Sequence, residues 1–293
     1  PWIYSNEIIS DRRTKSLLPG SFCKLVDYNK NPICLVTVNP KSKIFARVMD
    51  FNLETTVDAY WLKDKISKAL AKRKEIFRDP FYRLVNAEAD ELPGLIVDRF
   101  NNIIVMQPNA FWAENISEII ANSIKEVCSI DVVIKNASGR SRRLEGLDDK
   151  NSVFFGDLPE AAISVPMNGA IYKADVHEGQ KTGLFYDQRQ NHKFVASLAN
   201  GKTVLDVFCH VGGFGLAAIA AGASEVSFVD SSANALDLVR EGASEMLASS
   251  KMNIIRGDAF SVLRKLFESN KSYDIVICDP PAFVLSLIHI SEP

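Results

Sequence analysis

The sequence predicts an α/β protein whose C-terminal part is a parallel sheet of the nucleotide-binding type. Residues 203–222 have the pattern of a buried strand, a tight turn rich in glycine and an apolar helix, which is the opening unit of such a fold. Three further strands follow up to residue 279, with helices between them, and this alternation predicts parallel strands joined by right-handed crossovers. Before residue 176, short strands separated by turn clusters predict two smaller domains, a β-barrel and an α+β domain.

Composition and charge narrow the class of protein. Hydrophobic residues make up 47% and charged residues 24%, with a net charge of −2, which is typical of a globular chain. No apolar run approaches the roughly 20 residues that span a bilayer, so we predict a cytoplasmic protein without a membrane partner. The five cysteines are scattered without zinc-ligand spacing, and no metal is predicted. Residues 1–80 hold 15 Lys and Arg against 9 Asp and Glu, an excess that is compatible with a face that binds phosphates or with a solvated surface.

The N-terminal segment alternates as strands do. Residues 21–27, 33–38 and 43–49 predict three strands. Apolar residues then recur at helical spacing over residues 60–80, with lysines and arginines at most other positions. The pattern predicts an amphipathic helix that either faces RNA or is a solvated linker, and we favour the linker.

The middle segment predicts a small α+β domain. Strands are expected at 82–86, 91–99, 102–107 and 131–134, with a helix over 111–128. Residues 139–143, GRSRR, form a basic stretch. Arginine suits bidentate phosphate contacts, but such a stretch is more often an exposed loop, and we favour the loop.

Acidic residues stand at the ends of the four C-terminal strands. They are Asp206, Asp230, Asp258 and Asp279. Ligands of parallel sheets bind beyond the carboxyl ends of the strands, so the four carboxylates predict one binding site together with the glycine turn at 212–215. A nicotinamide dinucleotide is disfavoured, because no G-x-G-x-x-G follows the first strand.

Four motifs occur in order along the chain: PWIYSNE at 1–7, NAEADELPGL at 86–95, KTGLFYDQR at 181–189 and DPPAF at 279–283. With them, residues 1–284 resemble the class I S-adenosylmethionine-dependent 23S rRNA (cytosine-C5) methyltransferase family, of the large-subunit methyltransferase I type with an N-terminal PUA domain. The resemblance implies a PUA-like RNA-binding domain at 1–72, a small α+β domain at 73–175 and a methyltransferase domain with a Rossmann-like, incomplete sheet at 176–284. It implies S-adenosylmethionine as cofactor, large-subunit rRNA as partner, and allows a homodimer.

The resemblance also implies roles for single residues. Asp206 would face the cationic amino-acid end of the cofactor, Asp230 would accept the ribose hydroxyls, and Asp258 with the Ala259 N–H would bind adenine. The predicted cofactor-binding residues are Phe185, Gln188, Arg189, Asp206, Phe208, Gly212, Gly213, Phe214, Asp230, Asp258, Ala259 and Asp279. The predicted catalytic residue is Asp279, and the predicted substrate-binding residues are Pro280, Pro281 and Phe283.

In the resembling family a cysteine thiolate adds to carbon 6 of cytosine before carbon 5 is methylated. Neither Cys209 nor Cys278 matches that position, so the nucleophile is expected beyond the end of this chain. Residues 285–293 depart from the family pattern and are predicted to be a non-native tail on a truncated chain, which would leave it inactive. Two alternatives stay open: methylation of an exocyclic base amine, which needs no cysteine, and an RNA-binding protein without catalysis.

Overall fold

The structure is a computed structural model that describes residues 1–176 and 183–281. The chain divides into two compact units, which we describe separately. Unit 1 comprises residues 1–161 and 175–186, and unit 2 comprises residues 162–174 and 187–293. In the described ranges, no helix combines the length and the apolar content that crossing a membrane requires.

The N-terminal part of unit 1 is a four-stranded antiparallel sheet with the strand order β1-β4-β3-β2. Its elements are β1 (Trp2–Tyr4), α1 (Arg12–Lys15), β2 (Phe22–Val26), β3 (Pro32–Val38) and β4 (Ile44–Asp50). The three strands predicted in this segment are confirmed. Alternation brings Cys34, Val36 and Phe45 into a small core.

The rest of unit 1 is a five-stranded sheet with helices, ordered β5-β6-β7-β8-β9. Only the β7–β8 pair is parallel. The elements are α2 (Ala59–Ile76), β5 (Phe81–Asn86), β6 (Leu95–Phe100), β7 (Ile103–Pro108), α3 (Phe111–Asn115), α4 (Ser117–Cys128), β8 (Val132–Lys135), α5 (Arg140–Glu145) and β9 (Ser152–Phe155). The predicted α+β arrangement is therefore present, with the helix over 111–128 interrupted at Ile116.

Helix α2 is a packed element of unit 1 and not the solvated linker that we favoured. The Asp58 side chain caps its first turn, accepting from the Trp61 N–H at 2.9 Å. Its Leu62 and Ile66 side chains are fully buried in the core shared with α4 and β5. The sequence predicts a domain boundary at residue 72, but α2 continues through this residue. Its apolar face belongs to the core of the middle segment.

The basic stretch at 139–143 is mostly helix α5, and one of its arginines is buried. Arg142 is completely inaccessible to solvent. Its Nη1 donates to Glu114 Oε2 at 2.8 Å and its Nε donates to the Asp148 carbonyl at 3.0 Å. The favoured interpretation as an exposed loop is wrong for Arg142, which holds α5 against the core, whereas Arg140 and Arg143 are exposed.

Unit 2 contains the predicted parallel sheet, with the strand order β14-β13-β12-β15. Its elements are the hairpin β10 (Ile163–Met167) and β11 (Ala170–Ala174), then α6 (Arg189–Leu198), β12 (Thr203–Val207), α7 (Gly213–Ala220), β13 (Glu225–Asp230), α8 (Ala233–Glu245), β14 (Met252–Arg256), α9 (Ala259–Glu268) and β15 (Ile275–Cys278). All four strands and their crossovers confirm the predicted fold class. The hairpin at 163–174 packs on α7 and α8, so it lies in unit 2 although the sequence predicts it in the 73–175 domain.

Candidate cofactor site

Strand register places three of the four acidic residues at or just after the strand ends and one inside the sheet. Asp206 lies beside Phe228 of β13 and Ile277 of β15. Asp230 ends β13, Asp258 follows β14 by two residues, and Asp279 directly follows β15. The predicted common edge therefore holds for Asp230, Asp258 and Asp279, whereas Asp206 lies one pleat deeper.

The buried Asp206 supports the glycine turn from within the sheet. Only 2% of it is exposed, and its Oδ2 accepts from the Gly215 N–H at 2.8 Å. Burial, together with the nearby carboxylates of Asp279 and Asp230, raises its pKa to about 7. Asp206 thus fixes the first turn of α7, and its predicted contact with the cofactor stays a prediction.

Packing explains the glycines at the start of α7. Gly212 adopts a left-handed conformation, with φ of +80°, which favours glycine. A Cβ at Gly213 would lie 2.5 Å from Nε2 of His192, and one at Gly215 would overlap the ring of Phe228. The turn is therefore glycine-rich because neighbouring side chains approach its backbone closely.

A buried imidazole lies against this turn. His192 of α6 is 3% exposed and meets Phe214 edge-on, with ring centroids 4.5 Å apart. On another side, Tyr172 of β11 stacks on the imidazole at 6.2 Å and donates from its hydroxyl to the Gly213 carbonyl at 3.2 Å. Burial lowers the pKa of His192 to about 4, so the ring is neutral near pH 7. Among the described residues, its Nδ1 has no hydrogen-bond partner.

Sequence reasoning missed His192 and Tyr172. The available signal for His192 was its spacing from Ala196, four residues on, which places both residues on one face of α6. That pattern indicates burial, but it does not say that the ring meets a glycine turn more than 20 residues away.

Asp230 binds the backbone of the loop that follows β12. Its Oδ2 accepts from the His210 N–H and its Oδ1 accepts from the Ser232 N–H, both at 2.9 Å. Each carboxylate oxygen has a second lone pair, so the group can accept hydroxyl donors as well. The loop is bent sharply, since Phe208 and His210 both have positive φ, and Phe208 packs edge-on against Phe260.

Asp258 is the N-cap of α9. Its Oδ1 accepts from the Ser261 N–H at 3.0 Å and from the Ser261 hydroxyl at 2.9 Å. The hydrogen bonds from the Ser261 N–H and, next, from its hydroxyl hold the pKa of this carboxyl below its usual range. Ala259, the first residue of the helix, has one of the N–H groups that an α-helix leaves without an intrahelical partner, as adenine recognition would require.

A side-chain hydrogen bond joins the two most distinctive motifs. Gln188 Nε2 donates to Asp279 Oδ2 at 3.3 Å, and Gln188 Oε1 accepts from Asn191 Nδ2 at 2.6 Å. Arg189 begins α6, and its carbonyl accepts from Asn168 Nδ2 at 2.8 Å. Asp279 is exposed, so it can reach a substrate.

The structure describes some, but not all, of the remaining predicted site residues. Pro280 and Pro281 are exposed beside Asp279. Phe185 lies in unit 1, and its predicted cofactor contact stays a prediction. Phe283 and residues 181 and 182 of the KTG motif lie outside the described residues. In the described ranges, no group of three or more His, Cys, Asp or Glu side chains could hold a metal ion.

Two protein families match parts of the chain. Residues 143–291 match the family described as S-adenosylmethionine-dependent methyltransferase, and residues 1–51 match the family described as PUA-like domain. The first match runs past Val284, where the sequence pattern predicts the start of a non-native tail.

Curated relatives cover nearly the whole chain. Ribosomal RNA large subunit methyltransferase I of Shewanella frigidimarina is 33% identical over 287 residues, which are 97% of this chain and 72% of the relative. The protein of the same name from Aeromonas hydrophila is 32% identical over 291 residues, 98% of this chain and 73% of the relative.

Solved structures share the fold. A putative SAM-dependent methyltransferase from Streptococcus mutans superimposes with a TM-score of 0.82 at 19% identity, covering 96% of this chain and 72% of its own. A crystal structure of a putative methyltransferase complexed with SAH gives the same values. At this identity the likeness shows the fold alone.

Proposed function

The chain belongs to the S-adenosylmethionine-dependent methyltransferases of the ribosomal RNA large subunit methyltransferase I family, and from that premise we propose that it methylates carbon 5 of a cytosine in large-subunit rRNA. One observation carries the proposal. The Gln188–Asp279 hydrogen bond joins the KTGLFYDQR motif, which leads into α6, to the DPPAF motif at the carboxyl end of the sheet. The exposed Asp279 carboxylate is thereby oriented beside the strand ends at which ligands of parallel sheets bind.

The residues present fit the cofactor. Gly212, Gly213 and Gly215 have no room for a side chain, so only backbone can border the site at these three positions. Asp230 retains lone pairs for the ribose hydroxyls, and the Ala259 N–H beside Asp258 suits a ring nitrogen of adenine. When bound, S-adenosylmethionine supplies an electrophilic methyl group.

Asp279 is the proposed catalytic residue. Its carboxylate would accept a hydrogen bond from the edge of a base, and Gln188 orients it for that contact. Pro280 and Pro281 stiffen the exposed backbone that follows. Such a stiff polar edge suits a flat base that has left its stack.

The described cysteines of unit 2 are poor candidates for the nucleophile of carbon-5 chemistry. Burial raises the pKa of the Cys209 thiol far above its usual range, which leaves little thiolate. Cys278 is exposed, but it ends strand β15 immediately before Asp279. We therefore assign the nucleophile to neither residue.

The experiment that tests the proposal identifies the methylated atom. The full-length gene, with and without Asp279→Asn, is expressed in cells that lack it, and the nucleosides of their 23S rRNA are analysed by mass spectrometry, because carbon-5 chemistry needs a thiol that neither described cysteine of unit 2 supplies. We expect 5-methylcytidine to return with the unaltered gene and not with Asp279→Asn, although the variant retains cofactor binding. A methyl group that returns on an exocyclic amine supports the alternative chemistry, and the return of no methyl group refutes both.

Two finer expectations accompany the proposed function. An rRNA substrate is consistent with a cytoplasmic location, which fractionation of cells would test. A homodimer stays a proposal, and light scattering of the purified chain during size-exclusion chromatography would show one mass or twice that mass.

A further inference from the structure

A buried carboxylate fixes the turn between β3 and β4 against helix α5. Glu145, which is 5% exposed, accepts from Asn39 Nδ2 at its carbonyl (3.0 Å) and at Oε2 (2.7 Å). Its Oε1 accepts from the Ser42 hydroxyl at 3.4 Å and also pairs with the Arg47 guanidinium. Because these groups are out of solvent, the turn and the helix form one rigid surface.

Four cations stand on this surface. Lys41 and Lys43 flank Ser42 on the turn, and Arg140 and Arg143 lie on the helix that carries Glu145. All four are exposed, and none has an ion-pair partner among residues 1–176 and 183–281.

The basic face of α2 makes a useful contrast. Its members Lys63, Lys65, Lys68 and Arg73 are paired with carboxylates, whereas Lys72 and Lys74 are exposed and have no ion-pair partner in the described ranges. The cations around Glu145 therefore differ from Lys72 and Lys74 in what lies beside them.

Two aromatic side chains border the same turn. Trp2 and Tyr4 share one side of β1 and are 46% and 43% exposed. Strand β1 is held to the turn because the Ser5 N–H donates to the Lys43 carbonyl at 3.0 Å. Trp2 is oriented by its Nε1–H, which donates to Glu88 at 2.6 Å, and by the Arg47 guanidinium 5.5 Å from its ring centroid.

We propose that this β1–α5 surface, formed by Trp2, Tyr4, Lys41, Lys43, Arg140 and Arg143, binds a single-stranded segment of RNA. The inference rests on the proposed function for the choice of RNA. Unneutralised cations bind phosphates, and oriented aromatic rings stack on bases that are not already stacked. A duplex offers phosphates but no free base faces, so the paired aromatics favour a single strand.

Fluorescence anisotropy with the full chain tests the surface. The probe is a labelled oligouridylate about 12 nucleotides long, within the size range of single-strand sites, and affinity is measured at several salt concentrations. We expect the Lys41→Ala/Lys43→Ala and the Arg140→Ala/Arg143→Ala double variants each to reduce the slope of log affinity against log salt by about 1.4, since each phosphate contact on a single strand contributes about 0.7. The control is Lys72→Ala/Lys74→Ala on α2, which removes two exposed cations and should leave the slope unchanged.

Aromatic variants test the choice of a single strand. We expect Tyr4→Ala to weaken binding about tenfold, as the loss of one stacked base does, with the salt slope unchanged, and Tyr4→Phe to restore the affinity. The duplex of oligouridylate with oligoadenylate should bind more weakly and should not respond to Tyr4→Ala. Equal effects of Tyr4→Ala on both probes would refute single-strand binding.

The outcomes separate this proposal from the proposed function. If the chain methylates rRNA but both surface variants behave like the α2 control, the β1–α5 surface is refuted and the function stands. If the variants lower the salt slope although no methyl transfer occurs, the surface stands and the function fails. Far-UV circular dichroism of each variant checks that the fold is retained.

Discussion

Replacing Gly213 by alanine tests whether the imidazole of His192 sets the shape of the glycine turn. The added Cβ would lie 2.5 Å from Nε2 and 2.6 Å from Cε1, whereas ordinary contacts begin at 3.4 Å. The ring would have to retreat by about 0.9 Å, but it is buried against Phe214 and Tyr172. Overpacking of this kind costs about 1–3 kcal/mol, and the better helix propensity of alanine returns at most about 1 kcal/mol.

A double-mutant cycle isolates the contact. His192→Ala has a cost of its own, but it removes the obstacle to the new methyl group. We expect Gly213→Ala to be less harmful in the His192→Ala background, with a coupling energy of about 1–3 kcal/mol, equal to the overpacking cost. The matched control is Gly201→Ala, which is strained at φ of +71° but has no atom within 4 Å of its Cβ, so its cost should add to that of His192→Ala.

Urea unfolding gives the free energies, provided that the two units are followed separately. The three tryptophans, Trp2, Trp61 and Trp112, all lie in unit 1. Their fluorescence follows unit 1, and a transition seen by circular dichroism without a fluorescence change reports unit 2. If the double variant loses the sum of the two single losses in free energy of unfolding, to within about 0.5 kcal/mol, the imidazole does not set the shape of the turn.

Three further predictions concern single charged residues. Burial raises the folded-state pKa of Asp206 to about 7, so between about pH 4 and 7 the folded protein keeps a proton that the unfolded chain has released, and the free energy of unfolding should fall as pH rises through this range. Urea unfolding at several pH values should show a smaller fall for Asp206→Asn, and equal falls for the two proteins would contradict this. Asp230→Ala should weaken S-adenosylmethionine binding by about 1–3 kcal/mol, the cost of a lost charged acceptor, and unchanged calorimetric affinity would count against its ribose role. Arg142→Met leaves Glu114 paired with Lys135 alone and the Pro108 carbonyl without its donor, and it should destabilise unit 1 by about 1–3 kcal/mol, as followed by tryptophan fluorescence. A loss below about 0.5 kcal/mol would show that the buried guanidinium is dispensable.

The sequence was sufficient for the order of the strands and helices from β12 to β15 in unit 2, although not for the hairpin β10–β11. Strands such as 225–230 are short apolar runs that end in a carboxylate, and the following Ser232 caps the next helix. These signals are local, because the apolar period, the cap and the glycine turn all lie within a few residues of each other. The predicted edge with Asp230, Asp258 and Asp279 follows from strand direction alone.

Features that depend on distant partners could not be predicted. Arg142 reads as one of several basic residues, and its burial depends on Glu114 and on the Pro108 carbonyl, 28 and 34 residues earlier. The depth of Asp206 depends on the register of β12 against its neighbours. His192 meets Gly213 only because α6 and α7 pack together, and no period within either helix encodes that meeting.

The buried pairing of Arg47 with Glu145 has a consequence for the order of events during synthesis. The two residues are 98 positions apart, although residues 1–51 match a domain family by themselves. At a translation rate of about 5–20 residues per second, Glu145 follows Arg47 by roughly 5–20 s, whereas Glu88, whose Oε1 lies 3.8 Å from Arg47 Nη1, is made earlier. The N-terminal sheet therefore leaves the ribosome before the buried partner of Arg47 exists, and its final packing is completed only after helix α5 has been made.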